Sequence, residues 1–236
     1  MFKTLKISLA LLTVFAEILG GMALGQSPSE GIEAPEPEEQ VEFFVDFAQF
    51  RGADNKVMLE VYLMIPRQQL EYVKSDSLNA YVARGFVQVA LAQNDSVRLL
   101  DRWPITDTEQ EITDVTDSQN IPDIAVFEAA PGEYELIAQV IDLNSEVRGT
   151  FRQPVTLTPF DSTELTISDI EFASIINKTG SRNVFTKYKR DVVPNASLTY
   201  GLSTPMLYSF AEIYNMEYPS ERDSFTVQYT IIDLNN

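Results

Sequence analysis

VEFFVDFAQF-RGADN-KVMLEVYLMI, residues 41–65, decides the fold class. In the first run Val41, Phe43, Val45 and Phe47 fall on one face. In the second run Val57, Leu59, Val61, Leu63 and Ile65 share a face, while Lys56, Glu60 and Tyr62 point the other way. A period of two belongs to a strand, whose successive side chains point to opposite sides. Gly52, Asp54 and Asn55 supply turn chemistry between the runs. Together these features predict a β-hairpin. Pro66 ends the second strand, because proline has no N–H for the ladder.

The same pattern continues downstream. FVQVALA, QNDS and VRLLDRW (86–103) predict a second hairpin. Val87, Val89 and Leu91 face inward, and Val97, Leu99 and Trp103 return on the same side. Residues 104–120 read as a loop with one short strand at Glu111–Val115. DIAVFEA (123–129) is a strand, Pro131-Gly132 a turn, and GEYELIAQVID and VRGTFRQPVTLT a last pair around Asp142–Ser145. Short strands at regular turn spacing predict an all-β fold, an immunoglobulin-like antiparallel β-sandwich over 41–160. A closed barrel shares the same alternation.

Composition narrows the function. The net charge is −18, from 17 Lys+Arg and 35 Asp+Glu, so nucleic acid and anionic lipid surfaces are repelled. With 44% hydrophobic residues the chain can bury a core. Cys and His are both absent, which removes Ser-His and Cys-His nucleophile pairs and imidazole or thiolate zinc sites.

Lys3 and Lys6 precede an apolar run, Ile7 to Ile18, and Ala23-Leu24-Gly25 follows. That is the order of a secretory signal peptide, assigned to 1–25 with Gln26 as the first mature residue. The run is too short to span a membrane, which takes about 20 residues, so the mature chain is expected to carry no transmembrane span. Residues 26–40, QSPSEGIEAPEPEEQ, form an acidic Pro/Glu-rich linker. The expected location is extracytoplasmic: periplasm, outer-membrane-associated or secreted.

An internal repeat organises the remainder. LEVYLM (59–64) returns as AEIYNM (211–216), and FVQVALAQND (86–95) has a counterpart in SFTVQYTIIDLNN (224–236). Residues 195–236 are therefore expected to begin a second, incomplete β-domain, with 161–194 as a connector and natural sequence continuing past Asn236. Glu60-x-Tyr62 and Glu212-x-Tyr214 place Glu and Tyr on one face, as a cross-strand pairing motif of the fold or a repeated polar ligand surface. Lys187, Lys189 and Arg190 form the dense basic cluster, a solvated connector or a contact for an acidic partner.

The strings FFVDFAQFRG (43–52), LEVYLMIP (59–66), LTISDIEFAS (165–174), VVPNASLTYG (192–201) and LYSFAEIYNM (207–216) resemble the N-terminal region of the GWxTD-domain proteins. The resemblance implies an exported bacterial protein whose paired β-domains precede a C-terminal domain with the Gly-Trp-x-Thr-Asp motif. That motif is absent here: the single tryptophan, Trp103, is followed by Pro104. No residue roles carry over.

Asp107, Glu109, Glu111, Asp114 and Asp117 make an acidic stretch without the glycine and closing glutamate of an EF-hand, and it reads as a solvated loop or a loose calcium site. No phosphate loop or nucleophile elbow occurs. No catalytic, cofactor-binding or metal residue is assigned, and no cofactor is expected. The expected function is a non-catalytic binding or assembly module of the cell envelope, with a protein or envelope component as partner. The alternative is the non-catalytic N-terminal region of a larger envelope enzyme or processing factor.

Overall fold

The opening hairpin forms as β1 (Phe44–Arg51) and β2 (Val57–Pro66), with Phe47 opposite Val61. Asp54 and Asn55 take φ of 50° and 58° in its turn, the handedness that matches a twisted hairpin. The computed structural model describes residues 40–116, 119–201, 204–216, 226–230 and 232. Residues 1–25, read as a signal peptide, residues 26–39 of the stretch read as a linker, Asp117 and most of the 224–236 run lie outside the described residues.

Sheet one has the order β1-β2-β6, with β6 at Asn120–Ala129. Sheet two is built on β4 (Ala80–Gln93). On one side of β4 lies β5 (Ser96–Glu109). On the other lie β3 (Val73–Ser75) and β7 (Gly132–Asp142), with β8 (Arg148–Leu157) beyond β7. All these pairs are antiparallel. With the short β3 set aside, the first, second and fifth strands face the fourth, third, sixth and seventh, an immunoglobulin-like sandwich.

The core lies between the sheets. Val57, Leu59, Val61, Leu63 and Ile65 of β2 meet Val87, Val89 and Leu91 of β4 and Leu136, Ala138 and Val140 of β7, all at 0% exposure. Burying each Val, Leu or Ile side chain stabilises the fold by about 1.5–3 kcal/mol. At the open end of this core Gly149 of β8 meets the incoming chain. A Cβ there would stand 1.9 Å from the Val41 carbonyl oxygen, so the position takes only glycine.

Two expectations need correction. Val97 does not face inward: it is 58% exposed. Leu91 pairs with Leu99 but Ala92 pairs with Val97, so Arg98 is an extra residue in β5. Such a bulge exchanges the faces of β5 on the Val97 side of Arg98. Residues 104–109 are strand rather than loop, because β5 runs on to Glu109; the 111–115 segment is a single 3-10 turn at Ile112–Asp114. Pro104 is tolerated mid-strand because β5 is an edge strand. Trp103 is half-buried against the core, and its indole N–H donates to Asp123 Oδ2 at 2.6 Å.

A third layer covers the outer face of sheet one. β10 (Glu171–Lys178), β11 (Thr186–Lys187), β12 (Arg190–Pro194) and β13 (Tyr208–Phe210) form a sheet in the order β11-β12-β10-β13. β9 (Thr166–Ile167) pairs with β14 (Ile213–Tyr214). Ala48, Phe50, Tyr62 and Met64 are buried on this side with Ala196 and packed by Phe210. Sheet one is thus covered on both faces, and the described residues from Gln40 to Met216 belong to one compact unit. The 161–194 stretch, read as a connector, carries β9 to β12, and the described part of the second copy pairs with it through β13 and β14. Residues 41–160 alone would leave Phe50, Tyr62 and Met64 uncovered.

Candidate functional site

Alternation along β2 sends Glu60 and Tyr62 away from the sandwich core and under the third layer, where they are 6% and 0% exposed. A carboxylate so placed needs partners, because an unpaired buried charge is costly. Lys187 of β11 supplies them. Its Nζ donates to Glu60 Oε2 and, at 2.5 Å, to Glu171 Oε2 of β10. The Tyr62 hydroxyl donates to Glu60 Oε2 at 2.8 Å. The ammonium stands 4.4 Å from the ring centre of Phe50, 4.9 Å from that of Phe210 and 5.7 Å from that of Tyr62. Ring faces attract a cation. Five strands, β1, β2, β10, β11 and β13, therefore meet at one nitrogen.

The electrostatics of this cluster are set by burial. Glu171 is pushed up to about 7, first by burial and then by Glu60, against the pull of Lys187. Its Oε1 is buried without a hydrogen-bond partner. Tyr62 is held well above the usual phenol range by burial and by the nearby carboxylates of Glu171 and Glu60. Asp46, opposite Tyr62 on β1, is raised to about 6 by burial and Asp169, less what the Phe47 N–H recovers.

The second Glu-x-Tyr pair repeats the first. The Tyr214 hydroxyl donates to Glu212 Oε2 at 2.7 Å, as Tyr62 does to Glu60. It also accepts from the Arg51 N–H at 3.0 Å, and the Arg51 guanidinium lies 4.3 Å from the Tyr214 ring centre. The other oxygen of Glu212 accepts from the Tyr188 hydroxyl at 3.1 Å. Neighbouring residues of one hairpin, Lys187 and Tyr188, are thus each gripped by the glutamate of one repeat copy. The motif works as a fastening of the fold, and it pins the third layer at two points.

The acidic stretch is divided. Asp107 and Glu109 pair with Arg67, which is 8% exposed. Arg67 also donates to Gln119 Oε1 at 2.9 Å and to the Tyr72 hydroxyl at 3.3 Å. This network ties the turn after β2 to the end of β5. Glu111 and Asp114 are exposed. Among the described residues, no group of three or more acids is placed to hold a metal ion.

Of the basic cluster, Lys187 is half-buried between layers, while Lys189 and Arg190 remain on the surface. Sequence reasoning missed Glu171, Phe50 and Phe210 as partners. The available signal was an acid, Glu171, flanked by apolar Ile170, Phe172 and Ala173.

Comparison with family models, curated proteins and solved structures gives no match.

Proposed function

We propose that this chain is an exported bacterial envelope protein that acts as a non-catalytic binding or assembly module. One observation carries the reading. The acid–base groups gathered by the fold, Lys187, Glu60, Glu171 and Tyr62, are engaged with one another between layers. Meanwhile Leu165, Val184, Met206, Leu207 and Ile213 of the third-layer segments face solvent. Exposed apolar side chains of this kind suit contact with another macromolecule. Edge strands add backbone groups for pairing. The secretory order of residues 1–25 supports export, and none of the described helices is long and apolar enough to cross a membrane. The resemblance to the GWxTD-domain proteins favours the same setting. It also supports the second reading, in which this region serves a larger envelope enzyme or processing factor.

The test is site-specific photo-cross-linking in the producing cell, from Leu207 and, as a control, from exposed Val97. A discrete adduct with an envelope component from position 207 alone is expected. Retention in the cytoplasm with an intact Met1, and no adduct from either position, would overturn the proposal.

A further inference from the structure

We infer that the groove at the β11–β12 hairpin docks a short acidic protein segment; this rests on the binding-module reading and names the partner's chemistry. The charge distribution comes first. Residues 172–211 contain Lys178, Arg182, Lys187, Lys189 and Arg190 and a single acid, Asp191, in a chain of net charge −18. Lys187 is engaged with Glu60 and Glu171. Lys178, Arg182, Lys189 and Arg190 are exposed, and none of them is ion-paired among the described residues.

Two features are unfavourable in the free chain. Lys178 and Arg190 stand directly opposite each other across β10 and β12, and like charges so placed destabilise a sheet. The hairpin turn puts Tyr188 and Lys189 at φ of 48° and 64°. Residues other than Gly, Asn and Asp are disfavoured there by about 1 kcal/mol or more each. The turn thereby presents Lys189 and the 75% exposed Tyr188 outward.

These groups border a groove of about 390 Å³ lined by Thr179, Gly180, Ser181, Arg182, Thr186, Tyr188 and Lys189. No acid lines it. The guanidinium of Arg182 offers the fork that matches a carboxylate. The Ser181 hydroxyl adds a donor to the groove, while that of Thr179 is engaged with the Ser181 carbonyl at 2.9 Å. The patch is small and the remainder of the chain is acidic. A nucleic acid or an anionic membrane spreads its charge widely and would meet that acidic surface. A ligand whose carboxylates are confined to a few residues meets only the groove.

Fluorescence anisotropy on the full chain tests this with a short Glu-rich peptide, its Gln counterpart, a single-stranded oligonucleotide and phosphatidylglycerol vesicles. Saturable binding of the Glu peptide is expected. It should weaken from about 50 to about 300 mM salt and by roughly tenfold or more in Arg182→Glu/Lys189→Glu. The milder Arg182→Gln/Lys189→Gln should weaken it in the same direction with an unchanged melting temperature. Arg98→Glu/Arg102→Glu on β5 should leave it unchanged. Equal binding of the Gln peptide, indifference to the groove variants, tighter binding of oligonucleotide or vesicles, or no saturable binding would each overturn the inference. The Leu207 cross-link reads the broader proposal separately.

Discussion

Lys187 Nζ lies between Glu60 Oε2 and Glu171 Oε2, so residues 127 positions apart share one part-buried hydrogen bond across two layers. Lys187 is 12% exposed and Glu60 7%. Lys187→Met leaves two buried carboxylates without their cation. Breaking a buried pair in this way costs about 3–5 kcal/mol. Urea unfolding at pH 8 should show that loss. At pH 5.5 the loss should be smaller, because protonation of Glu171 relieves the uncompensated charge.

Glu171 makes stability depend on pH in a defined direction. Its folded value, about 7, lies above its ordinary value of 4.5. Between those values the folded chain binds more protons than the unfolded one, so stability falls as pH rises through that window. Asp46, raised to about 6, acts in the same sense. The melting temperature should be higher at pH 5.5 than at pH 8. Glu171→Gln should reduce that difference, and an unchanged difference would count against the assignment.

The two Tyr–Glu bonds predict unequal effects. Tyr62 is fully buried, whereas Tyr214 is 7% exposed and its hydroxyl lies near the rim. Tyr62→Phe removes a donor from a buried carboxylate and should cost about 1–3 kcal/mol. Tyr214→Phe should cost about 0.5–1.5 kcal/mol, the usual worth of one hydrogen bond. Equal losses in denaturant titrations would show that the two copies bear the same load.

Gly149→Ala should destabilise by about 1–3 kcal/mol, the usual range for overpacking. Its Cβ would enter the Val41 carbonyl. Gly180→Ala, where nothing lies within 4 Å of the added carbon, is the control and should change the melting temperature little.

The hairpins at 41–65 and 86–103 were legible because their information is local: two-residue alternation and turn residues that accept positive φ. The run of β5 past Trp103 was hidden by Pro104, by Thr106 and Thr108, which the edge strand shows to water, and by Asp107 and Glu109, which turn to Arg67. Val97 was misplaced because one extra residue inverts a strand's faces, and nothing at Arg98 announces a bulge. The cluster at Lys187 was the least legible part. A lysine in the run FTKYKR resembles any solvated charge until Glu60 and Glu171 are brought to it. The Glu-x-Tyr repeat was visible, but its two tyrosine–glutamate bonds join residues two apart along the chain rather than across strands.

The central claim is that the Lys187 cluster fastens the third layer to the sandwich. Hydrogen exchange read strand by strand, in the full chain and its Lys187→Met variant, tests it most directly. The account predicts faster exchange in β10, β12 and β13, with β4 and β7 as protected as before. Exchange unchanged in the third layer, or raised equally in every strand, would contradict it.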